Sequence, residues 1–150
     1  MTQSVIPDSL YEQDFALWID DTVAKLKARK FEQIDLENLV EEIESLGRSD
    51  KRELQNRLAV LLAHLLKRIY IDSAYDNRGW MITIVEQRRQ LKSLLQQSPS
   101  LKSYFAEVFP EMYQEALETT RLEYAKIDFP IDWPFNSDIN AILNETFWQD

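Results

Sequence analysis

Apolar residues recur three and four positions apart through nearly the whole chain. That spacing lines them along one face of an α-helix, not one face of a strand. The first helix is predicted over about Asp8 to Arg29, with Tyr11, Phe15, Trp18, Ile19, Thr22 and Leu26 on one stripe. Pro7 and Asp8 are its start signals, and Lys27, Arg29 and Lys30 suit the negative end of its dipole. Asp35 caps a short second helix whose Leu36, Leu39, Val40, Ile43 and Leu46 are expected to face inward. Gly47 stands where a left-handed stop belongs. A third helix starts after Ser49 or Asp50 and carries Leu54, Leu58, Leu61, Leu62, Leu65 and Ile69 on one broad face. Ala59, Val60, Ala63 and Leu66 make its middle apolar nearly all round, the mark of a central, enclosed element.

Asp72 to Gly79 reads as a polar turn, followed by a fourth helix from about Trp80 to Gln97 with Ile84, Val85, Leu91 and Leu95 inward. Ser98 and Pro99 restart the chain as cap and first helical position. The amphipathic stretch from Leu101 to about Lys126 contains Pro110, where a kink or break is expected. Phe129 to Phe135 is an extended aromatic segment with Pro130 and Pro134, and Trp133 is expected to fold it back onto the bundle. A last short helix starts near Asn136 or Ser137 and turns Ile139, Ile142, Leu143 and Phe147 inward. With no internal repeat, low-complexity segment or visible boundary, residues 1–150 are expected to form a single all-α domain. Its expected form is a compact bundle of five to seven helices around the third.

Several functional classes drop out early. No cysteine is present, which removes disulfides, thiolate metal sites and cysteine catalysis and fits a cytoplasmic protein. The N-terminus lacks a basic region followed by an apolar run. The longest apolar stretch, Leu58 to Leu66, is short of the roughly 20 residues that span a bilayer. Two glycines cannot build a phosphate loop or a dinucleotide fingerprint. The net charge is -9, yet residues 51–100 hold 9 Lys and Arg against 4 Asp and Glu. A basic middle between acidic flanks reads as attraction within one fold. Acidic flanks repel phosphate and argue against nucleic-acid binding.

Arg88 lies in the middle of the fourth helix's apolar stripe, where it cannot be buried unpaired. The expected partner is a carboxylate of the second helix, Glu42 first and Glu44 next. The competing reading is an anion site in which Arg88 and Arg89 hold phosphate or carboxylate. His64 is the only histidine and sits at the edge of the third helix's apolar face. A packing histidine is preferred there. A metal site with Glu41, Glu42 or Glu44 lacks the Glu-x-x-His pairing of such bundles, so no metal or cofactor is called for. Asp14, Asp20 and Asp21 read as a solvated face. Trp18, Trp80, Trp133 and Trp148 read as core, with Phe147 and Trp148 as a candidate partner surface.

The run Leu36-Glu-Asn-Leu-Val-Glu-Glu-Ile-Glu-Ser-Leu-Gly-Arg-Ser49 is followed by Arg57-Leu-Ala-Val-Leu-Leu-Ala-His-Leu-Leu-Lys67, Glu86-Gln-Arg-Arg89 and Ser98-Pro-Ser-Leu101. With Tyr11-Glu-Gln-Asp-Phe-Ala-Leu-Trp18 at the start, these segments closely resemble the DUF29 family of bacterial proteins. The resemblance runs from about Tyr11 to Phe147 and implies an all-helical single domain and no particular activity. The family-like positions Glu41, Glu42, His64, Trp80, Arg88 and Arg89 are its candidate ligand-binding residues. Phe129 to Phe135 departs more from the family pattern.

The expected function is a non-catalytic helical interaction or adaptor protein with a protein partner, because no catalytic motif is present. The alternative is a small-ligand- or metal-binding enzyme with a site between the second, third and fourth helices at Glu41, Glu42, His64 and Arg88. A weaker third reading is a regulator of nucleic-acid machinery acting through the basic middle.

Overall fold

The computed structural model describes residues 9–150, so the Pro7–Asp8 start signal lies outside the described residues. The helices are α1 (Leu10–Gln13), α2 (Phe15–Lys27), α3 (Leu36–Tyr70), α4 (Asn77–Gln97), α5 (Leu101–Glu123) and α6 (Ile139–Asn144), with a 3-10 turn at Phe31–Gln33. No strand occurs among the described residues, and the all-α class holds at 74% helix. The chain packs as two compact units, Met1–Arg48 and Ser49–Asp150, and the division falls within α3.

In the first unit the predicted first helix is two helices. Asp14 is extended and its Oδ1 accepts the Leu17 N–H at 3.0 Å, so it ends α1 and caps α2. A side chain read as solvated surface is thus a cap, worth about 1 kcal/mol. Arg29 closes α2 at φ 59. Its N–H bonds to Leu26 O at 3.1 Å and the Lys30 N–H bonds to Lys25 O at 2.9 Å. That pair of bonds is a Schellman stop built without glycine. Trp18 and Thr22 are buried, with the Tyr11 and Phe15 rings 4.9 and 5.8 Å from the Trp18 ring.

The second and third predicted helices are one. Asp35 caps the start as expected, its Oδ1 accepting the Asn38 N–H at 3.3 Å. Gly47 does not stop the helix: neither glycine has a positive φ, and among the described residues nothing lies within 4 Å of the place where a Cβ would be. Glycine inside a helix costs about 1 kcal/mol relative to alanine, too little to break a helix that packing holds further on.

The second unit holds the core. Leu54, Leu58, Leu61, Leu62, Leu65 and Leu66 of α3 are fully buried against Ile84, Leu91 and Leu95 of α4, Phe105, Met112 and Leu117 of α5 and Ile142 of α6. Each such leucine contributes roughly 1.5–3 kcal/mol by burial. Val85 is exposed, contrary to its predicted inward position, because it stands 100° around the helix from Ile84. α5 runs unbroken through Pro110. Pro110 and Ala106, whose carbonyl loses its helical partner there, are both exposed, so the missing bond lies at the surface, where solvent can take its place. The aromatic segment folds back as expected. Phe129 is buried edge-on to Tyr70, the Tyr113 hydroxyl donates to Pro130 O, and Trp133 sits among Phe109, Tyr113, Phe135 and Phe147. Burial pushes the Tyr113 phenol up to about 12.

Candidate functional site

In the first unit, α3 begins with an apolar line that nothing in the described residues covers. Leu36, Val40, Ile43 and Leu46, predicted to face inward, are 65%, 47%, 59% and 68% exposed. Phe15, Leu17, Ile19, Val23, Leu26 and Phe31 are also exposed, so ten large apolar side chains stand in solvent. Glu37, Glu41 and Glu44 border this line, and Glu41 pairs with Arg48 at 2.7 Å. Leu36, Asn38, Val40 and the three glutamates line a shallow surface hollow. Glu42 lies on the far side and accepts the Tyr11 hydroxyl proton, which holds the phenol up at about 12. Tyr11 and Glu42 therefore tie α1 to α3 within this unit.

In the second unit, His64 lines a cleft of about 290 Å³ between α3 and α5. Val60 O lies 2.8 Å from His64 Nδ1. A carbonyl only accepts, so the proton sits on Nδ1 and Nε2 keeps its lone pair. Burial pushes the imidazole below its usual range, and Lys67 adds to this against the opposing pull of Val60 O and Glu123. Lys67 is buried and donates to Glu123 Oε2 at 3.2 Å. Asn56, Glu115 and Thr119 complete the polar lining. Packing of α5 beside α3 brings Glu115 into the same lining as His64.

Among the described residues Arg88 makes no ion pair. Its Nε donates to Ile142 O at 2.9 Å and its Nη2 to Glu145 O at 2.6 Å, so it caps the C-terminal end of α6. The predicted carboxylate partner is replaced by backbone carbonyls, which attract a guanidinium at a helix C-terminus. The Trp148 ring lies 5.7 Å from the Arg88 guanidinium and 5.8 Å from that of Arg68. Arg68 is buried and bonds Asp150 at 2.6 Å. Phe147 and Trp148 are accordingly half-buried, not a free patch. Arg89 is exposed and pairs with Glu86 on its own helix. Trp80 is buried edge-on to Tyr124. None of Trp80, Arg88 and Arg89 lines the His64 cleft.

Among the described residues no group of three or more His, Asp or Glu side chains is placed to hold a metal ion, and no helix is long and apolar enough to cross a membrane. The family model described as domain of unknown function DUF29 matches residues 10–148. This chain belongs to the DUF29 family. The DUF29 match takes in all six helices and all six candidate residues. No curated protein and no solved structure matches the chain.

Proposed function

We propose that this DUF29 chain is a non-catalytic helical interaction protein that works as one cytoplasmic bacterial domain and binds a protein partner. The observation that carries this reading is the uncovered apolar line of α3 with its glutamate border. Contiguous apolar surface rimmed by polar residues is what protein interfaces present, and leaving it in water is unfavourable at about 25 cal/mol per Å². Glu41 then serves in the polar rim, and Glu42 holds the support behind it through Tyr11. The self-contained partners of Arg88, Arg89 and Trp80 fit structural roles.

A second reading rests on the His64 cleft. A neutral imidazole beside a buried lysine suits a small polar ligand, and about 290 Å³ lies at the small end of ligand pockets. The tagged protein recovered from its source organism, with co-purifying proteins, metabolites and metals analysed together by mass spectrometry, separates the two. A stoichiometric protein partner is the expected result. A bound small molecule with no protein overturns the interaction reading in favour of the cleft.

A further inference from the structure

Two exposed stripes of opposite charge stand on different helices. The first is the Leu36, Val40, Ile43 line of α3 with Glu37, Glu41 and Glu44 along one flank. The second runs along α4. Because Ile84, Leu91 and Leu95 turn into the core, Arg78, Ile82, Val85, Arg89 and Lys92 fall on one outward line at spacings of 4, 3, 4 and 3. Ile82 and Val85 are 62% and 59% exposed, and Arg78, Arg89 and Lys92 are exposed around them. α4 thus carries an isoleucine and a valine outward between three cations.

We propose that the acidic apolar stripe of one copy docks on the basic apolar line of α4 in a second copy. The charge balance selects this pairing. Residues 1–48 hold 11 Asp and Glu against 5 Lys and Arg, and α4 holds 4 Lys and Arg against 1 Glu. Pairing the acidic stripe with its own counterpart would oppose glutamates to glutamates. Pairing it with α4 sets glutamates against arginine and lysine while Leu36, Val40 and Ile43 cover Ile82 and Val85. Both helices repeat at the four- and three-residue steps that let ridges pack into grooves. Complementary charge of this kind fixes register and excludes wrong partners. Each copy carries both surfaces. This inference rests on the interaction reading and names its partner.

Sedimentation velocity tests it with two variants, Glu37→Lys/Glu44→Lys and Arg78→Glu/Lys92→Glu. Wild type is expected to associate beyond 17.8 kDa with rising concentration and to dissociate in about 1 M salt, where screening shortens to roughly 3 Å. Each variant alone should associate at least about tenfold more weakly, since like charges then meet. An equimolar mixture of the two should regain association, because each reversed surface meets its opposite in the other chain. Recovery in a chain carrying all four substitutions but not in the mixture overturns the proposal by placing the contact inside one chain. Wild type that stays at 17.8 kDa up to about 100 µM also overturns it. A different host protein captured by such a monomer would leave the interaction reading standing.

Discussion

The Arg88 guanidinium bridges two carbonyl oxygens of one helix end, Ile142 O at 2.9 Å and Glu145 O at 2.6 Å, while its face lies 5.7 Å from the Trp148 ring. Three contacts therefore tie α4 to the segment that contains α6. Hydrogen bonds from a charged group contribute about 1.5–3 kcal/mol each, less where water can replace them, as it can at exposed Glu145. Arg88→Ala should cost about 2 kcal/mol in urea unfolding. Arg88→Lys should recover only part of that, because an ammonium cannot span both carbonyls in the fork geometry. An unfolding midpoint unchanged by Arg88→Ala contradicts the capping role.

Arg29 and Gly47 occupy each other's expected backbone. Arg29 sits at φ 59, where a Cβ is strained by about 1–2 kcal/mol, and Gly47 sits inside α3 with open space beside it. Arg29→Gly should therefore stabilise the chain slightly, the gain reduced by added freedom in the unfolded state. Gly47→Ala should stabilise it by about 0.5–1 kcal/mol. Destabilisation by Gly47→Ala in thermal melts would mean that the helix stops there after all.

These two positions show what the sequence could and could not convey. Helix identity was legible because burial and period agree: Leu54 to Leu66 are enclosed wherever the 3.6-residue repeat put them. Helix ends were less legible, because they turn on differences of about 1 kcal/mol that packing overrides. Gly47 looked like a stop and Asp14 like surface for that reason. The site was legible only in part. His64 stood out as the sole imidazole, but Glu115 and Glu123 join it only through the α3–α5 contact, which no local pattern encodes. Arg88 stands out in the sequence by its place in an apolar stripe. Its partners were missed because backbone carbonyls carry no residue signature. The periodicity of Leu36, Val40 and Ile43 was read as an inward face, and period alone does not say whether core or partner lies opposite.

His64 makes stability depend on pH in one direction. Burial holds its folded-state imidazole below the ordinary 6.5, so the folded chain keeps it neutral while the unfolded chain takes up a proton. Its contribution is present above pH 6.5 and is lost as pH falls through the lower folded value. No other histidine titrates in this window. The fall in the urea midpoint from pH 7.5 to 5.5 should shrink in His64→Gln. An equal fall in both proteins would show that the imidazole is not desolvated.

Whether the apolar line of α3 is an interface is tested most directly by comparing capture by wild type with capture by Val40→Glu/Ile43→Glu. Both positions are exposed helix positions where glutamate is a better helix former than valine or isoleucine, so circular dichroism should not change. A stoichiometric protein partner, a second copy included, is expected with wild type and should be lost with the double variant. Equal recovery of that partner by both proteins would contradict it.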